Sequence, residues 1–222
     1  MSDHVKNALK SFKVGGETVL RAKHFPTGTG VFIQRQKDRM KRRDKARARK
    51  LIQPENADQI IESFPISDNE VLHAITPGDF VLGDLLDRVV LKHGFPLRLD
   101  IATLSLSAKN VAMLARFLGE SPELRITLLI SHYFKNTNKE IFQALDTMIL
   151  SVFSADRVSL KIARSHAKVI LFDYPARFAW TIETSANLRS SNNVEQMTVF
   201  QSREVLAFHR RWMETLLNHR DE

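Results

Sequence analysis

The chain has 222 residues, a formal net charge of +8 and 43% hydrophobic residues, enough for one full-sized domain with its own core plus an appendage. It contains no cysteine, which excludes disulfides, zinc-thiolate sites and a cysteine nucleophile. No run of about 18 apolar residues could span a membrane, and MSDHVKNALKSFKVGG lacks the apolar core of a secretory signal, so an intracellular, cytoplasmic protein without a membrane partner is expected.

The charge is unevenly placed. Residues 1–50 hold 15 Lys/Arg against 4 Asp/Glu, whereas residues 51–222 hold 18 against 21. Within the N-terminal part, QRQKDRMKRRDKARARK (34–50) carries ten basic residues and almost no apolar face. Such a segment cannot bury enough surface to pack as a core helix, so a solvated helix or a mobile arm is expected. Its cations, Arg35, Lys37, Arg39, Lys41, Arg42, Arg43, Lys45, Arg47, Arg49 and Lys50, are candidates for nucleic-acid contact. A solvated arm without a ligand is the competing reading, weighed about even. Pro54 and its polar surroundings mark a boundary, giving an N-terminal extension over 1–55 and a body over 56–222.

In the body, strand and helix signals alternate. Thr76, Pro77 and Asp79 start a helix over 79–92 that Gly94 and Pro96 stop. LRLDIATLSL (97–106) reads as a strand, and KNVAMLARFL (109–118) as a helix behind a Ser107 cap. LRITLLIS (124–131) is a continuous apolar strand of the kind covered on both faces. Thr137 and Glu140 have the spacing of a capping box before a helix with apolar residues at 141, 142, 145, 148, 149 and 152. VSLKIA, AKVILF, FAWTIE and VEQMTVF follow as strands, and a final helix carries Val205, Leu206, Trp212, Met213, Leu216 and Leu217 on one stripe. This alternation predicts a layered α/β domain with helices on both faces of a mixed sheet.

The chemistry-bearing residues cluster late in the chain. On a strand, residues two apart share a face, so His166 and Lys168 of SHAKVILFD (165–173) project together. Asp173 closes that strand, Ser185 and Asn187 follow the next one, and Glu195 opens another. Polar residues thus collect at strand ends, where α/β sheets carry their sites. In a shuffled chain of this composition the His, Lys, Asp triplet is common enough to be weak evidence, but adding Ser and Asn at their offsets brings chance to about one in ten thousand.

His166, Lys168 and Asp173, followed by TSAN (184–187) and NNVEQ, resemble the HxK(x)4D(x)6GSxN signature of the phospholipase D superfamily. Thr184 stands where that signature has glycine. The resemblance implies a phospholipase D-like α-β-α layered fold with a basic N-terminal extension, and a nuclease-type phosphodiesterase acting on DNA or RNA. It implies that His166 attacks phosphorus to form a phosphohistidine, that Lys168 and Asn187 bind non-bridging oxygens with help from Ser185, and that Glu195 orients His166. Asp173 would organise the site or a partner histidine. No metal and no cofactor is expected, because lysine can serve the phosphate in place of a divalent cation. The family uses two motifs and this chain has one, so a homodimer sharing one site is expected. The rival expectations are a catalytically silent nucleic-acid-binding protein of the same fold, suggested by Thr184, and a phospholipid phosphodiesterase.

Four further features carry blander expectations. Arg164 and His132 could line the cleft but would more ordinarily be surface and structural residues. TGTG (27–30) lacks the GK[ST] of a phosphate loop, and Trp212 belongs to core packing.

Overall fold

The structure is a computed structural model describing residues 10–14, 17–21, 48–77, 82–189 and 193–218. The chain divides into two units, 1–46 and 47–222. In the first, β1 (Lys10–Val14) and β2 (Glu17–Arg21) form an antiparallel hairpin.

The second unit holds one eight-stranded mixed sheet. Its strands are β3 (Ala48–Ile52), β4 (Glu70–Thr76), β5 (Arg98–Thr103), β6 (Arg125–Ser131), β7 (Val158–Ala163), β8 (Val169–Tyr174), β9 (Phe178–Thr184) and β10 (Glu195–Gln201). Their spatial order is β3-β4-β10-β9-β8-β5-β6-β7. The outer pairs β3–β4, β5–β6 and β6–β7 are parallel, and the four central pairings are antiparallel.

The helices are α1 (Ala57–Glu62), α2 (Leu82–His93), α3 (Ala108–Glu120), α4 (His132–Thr137), α5 (Lys139–Leu145) and α6 (Arg203–Asn218). The larger core lies on one sheet face, where Leu85, Leu86 and Val89 of α2 and Leu114 and Phe117 of α3 bury against Leu99, Ile101, Leu128, Phe172, Ile182 and Val199. On the other face a smaller core joins Leu206 and Met213 of α6 to Ala102, Leu129, Val169, Leu171 and Ala179. Helices on both faces of a mixed sheet are the expected α/β layering.

Several elements follow directly from their residues. Ser107 caps α3 by accepting a hydrogen bond from the Asn110 amide at 3.3 Å. β6 is buried from Ile126 onward, as its unbroken apolar run requires. The capping box at Thr137 does not form. Thr137 Oγ1 donates to Tyr133 O and ends α4, while Asn138 precedes α5 without a side-chain cap bond. The single helix expected here is therefore broken in two, and α5 runs on into a π-helical turn, Asp146–Leu150.

Two expected bounds also move. Strand 97–106 ends at Thr103, because the Leu104 amide turns to the Asn187 side chain. The basic segment contributes Arg49 and Lys50 to β3, an edge strand paired with β4, instead of a helix or an arm, so the sheet starts inside the stretch read as extension. The rest of that segment, 34–47, and residues 79–81 of the expected helix lie outside the described residues.

Candidate active site

Register brings five of the predicted residues to one edge of the sheet. β8 and β9 are antiparallel with Val169 opposite Glu183, and the Thr184 amide donates to Lys168 O at 3.1 Å. β9 and β10 are also antiparallel, so the start of β10 returns beside the end of β9. β5, β6 and β7 run parallel and deliver their C-terminal ends to this same edge. His166, Lys168, Ser185, Asn187 and Glu195, separated by up to 29 positions in sequence, meet there. His132 and Arg164, both exposed, stand at the same edge after β6 and β7.

His166 and Lys168 do not sit within a strand. They occupy the extended lead-in to β8, where Ser165 Oγ accepts the Ala167 amide at 3.2 Å. The His166 side chain is exposed, and its ring makes no hydrogen bond among the described residues. Lys168 Nζ donates to the His166 carbonyl at 3.0 Å, so its ammonium hangs beside the histidine backbone, with donors to spare for an anion.

The loop after β9 is tightly fixed. Thr184 Oγ1 donates to Gln196 O at 2.8 Å and accepts the Ala186 amide at 3.0 Å. No described non-glycine residue has a positive φ, so this turn does not demand the glycine of the signature, and threonine adds two bonds to it. A second departure lies in the spacing, with ten residues (174–183) between Asp173 and Thr184 where the signature has six. They make the end of β8, a short turn and β9.

Ser185 Oγ is bonded to Glu195 Oε2 and accepts the Gln196 amide at 3.0 Å. Glu195 is thereby held half-buried at the mouth of β10. Asn187 Oδ1 accepts the Leu104 amide at 3.2 Å, which aims the carbonyl inward and leaves the side-chain NH₂ as donor. Thr103 and Asn110 grip the next residue, accepting Leu188 N–H at 3.2 Å and donating to Leu188 O at 2.7 Å. Neither supporting residue stands out in the sequence, because a polar residue at a strand end or an amide on an apolar helix face carries no pattern of its own.

Asp173 is placed elsewhere. It lies four strand steps beyond Val169, about 13 Å away along β8. There its carboxylate accepts bonds from Arg203 at 3.1 Å and Arg210 at 2.9 Å. Arg210 also holds Asp100, 1% exposed, at 3.0 Å, and Arg98 bonds Asp100 at 2.7 Å and Glu214 at 3.1 Å. Burial works against the charge on Arg210, but Asp100 and Asp173 more than compensate and hold its pKa above the ordinary arginine value. This network clamps α6 to the sheet.

One arrangement had no counterpart in the sequence reading. His209 of α6, buried among Leu206 and Met213, has Nε2 2.8 Å from Glu183 Oε1, while Trp212 Nε1 donates to its Nδ1 at 3.0 Å. Indole N–H only donates, so Nδ1 is the acceptor and Nε2 carries the proton toward Glu183. A polar residue three after Leu206 and four before Met213, inside the apolar stripe, was the available signal. Among the described residues, no three His, Asp or Glu side chains stand together as a metal ligand set, and no helix is long and apolar enough to cross a membrane.

No protein-family model matches the chain, and no curated protein matches it by sequence. Solved structures do. The fold is similar to that of a phospholipase D family member, Nuc, from Salmonella typhimurium, with 16% identity and a TM-score of 0.50, over 68% of this chain and 97% of that one. NucT from Helicobacter pylori is 16% identical with a TM-score of 0.46, over 67% of this chain and 96% of that one. Polyphosphate kinase from Porphyromonas gingivalis is 10% identical with a TM-score of 0.49, over 68% and 26% respectively. The similarity to Nuc identifies the fold as phospholipase D-like.

Proposed function

We propose that the protein is a metal-independent phosphodiesterase of nuclease type that cleaves DNA or RNA through a phosphohistidine, with its active site completed by a second copy of the chain. The observation that supports this most is the gathering of His166, Lys168, Ser185, Asn187 and Glu195 on one edge of a sheet with the fold of Nuc.

In this reading a scissile phosphate sits over that edge. Lys168 Nζ and the Asn187 NH₂ bind non-bridging oxygens, where charge is spread in the transition state. An imidazole nitrogen of His166 attacks phosphorus, the P–O bond to the leaving alkoxide breaks, and the alkoxide takes a proton from the His166 of a second copy. Water then attacks the phosphohistidine, giving up its proton to that second histidine, and His166 is released. Glu195, steadied by Ser185, orients an imidazole for these steps. The cations of residues 34–50 retain the polyanionic strand.

Asp173 enters as a residue that fixes β8 and α6 under the site, not as one that touches phosphate. The rival reading is a silent nucleic-acid binder of the same fold. The feature that favours it is the ten-residue spacing, because the turn at Thr184 accommodates the threonine.

The test is cleavage of plasmid, single-stranded DNA and RNA in EDTA by wild type and His166→Ala, with the mass of the native particle measured alongside. Cleavage in EDTA that disappears in His166→Ala, from a dimeric particle, is expected. Intact substrates, or full-rate cleavage by His166→Ala, would refute the proposal, and salt-dependent binding without turnover would select the silent binder.

A further inference from the structure

The α6 layer covers only part of its sheet face. Among the described residues it packs on β5 to β9, while on β10, β4 and β3 most side chains of that face are exposed or half-buried. Register decides which side chains stand there. His73 is opposite Thr198 and Leu51, and Ile75 is opposite Gln196, so these residues share one surface. Together with Gln53, Ile52, Ala74 and Met197 they line an open cavity of about 500 Å³.

Leu51 is 75% exposed and Ile75 45% exposed. The His73 ring shares a hydrogen bond with Thr198 Oγ1 at 3.2 Å, which orients the ring. Arg49 lies on the same face, two residues before Leu51. The cavity also adjoins the candidate active site in the chain, because Gln196 directly follows Glu195 and gives its amide to Ser185.

We infer that this cavity receives an unpaired nucleobase of the substrate strand, close to the phosphate held at the sheet edge. The inference rests on the phosphodiesterase reading above and adds to it a substrate class, single-stranded nucleic acid. The chemistry of the walls matches such an occupant. Leu51 and Ile75 offer apolar contact to a base face, the His73 ring a stacking surface, and the Gln53 and Gln196 amides paired donor and acceptor groups for a base edge. Arg49 supplies a cation for the adjoining phosphate, continuing the basic run that ends at Lys50. A volume of this order is within the range of ligand sites and holds a nucleotide, not a duplex. The lining sets two amides, an imidazole and a hydroxyl among five apolar residues, and Arg49 beside it on a chain of net charge +8 complements a polyanionic strand better than a second copy of the same basic chain.

The experiment measures binding, not turnover, on the full chain carrying His166→Ala. Fluorescence anisotropy compares a mixed-sequence single-stranded DNA 12-mer with an abasic backbone of equal length, before and after adding His73→Ala and Gln53→Ala together. The expected result is a loss of about tenfold in affinity for the base-bearing strand, within the range of one lost stacking contact, with affinity for the abasic strand unchanged. Equal losses on both strands, or no loss on either, would overturn the inference. So would Leu51→Asp reducing the native particle to half its mass while leaving strand binding intact, which would make the face an interface between copies. Because no cleavage is measured, base-dependent binding by a chain that never cleaves would count against the phosphodiesterase reading alone and keep the cavity as a single-strand site.

Discussion

Replacing Asp173 with Asn separates two roles that the sequence motif merges. The carboxylate is 14% exposed and accepts charge-assisted bonds from Arg210, itself 19% exposed, and from Arg203, 51% exposed. The Arg203 bond is well solvated and contributes little. The Arg210 bond matters more, since Arg210 Nη2 is already buried without a partner among the described residues, and loss of Asp173 charge leaves Asp100 as its only anion. Hydrogen bonds to charged groups contribute about 1.5–3 kcal/mol, and breaking a buried pair by removing one partner costs about 3–5 kcal/mol. Asn keeps one acceptor in place, so Asp173→Asn should destabilise the fold by about 2–4 kcal/mol. With a urea m-value of about 2 kcal/mol/M the unfolding midpoint falls by about 1–2 M. The same measurement on His166→Ala, an exposed side chain without hydrogen bonds among the described residues, should show no shift beyond about 0.5 kcal/mol. Catalysis by Asp173→Asn, assayed well below its midpoint, should stay within about tenfold of wild type. A midpoint unchanged in Asp173→Asn together with abolished cleavage would refute the structural role and return the aspartate to the chemistry.

Three other outcomes follow from the geometry. A Cβ on Gly83 would overlap the Asn110 side-chain amide, which holds Leu188 O, so Gly83→Ala should cost about 1–3 kcal/mol in urea unfolding and slow cleavage. Combined with Asn110→Ala it should cost less than the two single losses added, and strict additivity would sink this reading. Glu195→Gln should lower the cleavage rate by at least about a hundredfold, with unfolding unchanged, and a fully active variant would remove Glu195 from the proposed mechanism. Burial against Phe178 and Trp180, then the Lys92 and Arg177 charges, lower the His93 pKa. The unfolded chain therefore takes up a proton first on acidification, so stability is full above the unfolded value of about 6.5 and falls as pH drops toward the lower folded value. His93→Gln should flatten that part of the urea midpoint profile between pH 7.5 and 5.5, and a profile of unchanged slope would exclude His93 as its source.

The fold was legible wherever a segment is either amphipathic or continuously apolar. α3 announced itself through Ser107 and its apolar spacing, and β6 through RITLLIS. β4, in contrast, reads EVLHAIT, with both a histidine and an isoleucine, His73 and Ile75, exposed, so neither alternation nor an apolar run marks it. β3 was hidden by its own charge. Arg49 and Lys50 count toward a basic segment in sequence, yet on an edge strand one cation points to open solvent and the other pairs with Glu70 at 3.4 Å. At Thr137 a local pattern was present and lost to a competing bond, since a hydroxyl that donates to Tyr133 O one turn back ends a helix as readily as it starts one.

The site was legible for a different reason, and less completely. A motif records which residues travel together, and His166, Lys168, Ser185, Asn187 and Glu195 meet at one edge because antiparallel connections from β8 to β9 and β9 to β10 return the chain to it. Asp173 belongs to the same motif but lies at the far end of β8, where it bonds Arg203 and Arg210 of α6, a placement that spacing alone does not reveal. His209 is hidden in a different way. It sits in an apolar helical stripe, and only the tertiary approach of Glu183 and Trp212 reveals a fixed tautomer. Proximity in sequence misleads about both residues, because an antiparallel strand puts its two ends on opposite sides of the sheet while a helix laid across it brings distant residues to one point. A substitution series on this protein therefore separates chemistry from support only when rate and unfolding are measured on each variant together.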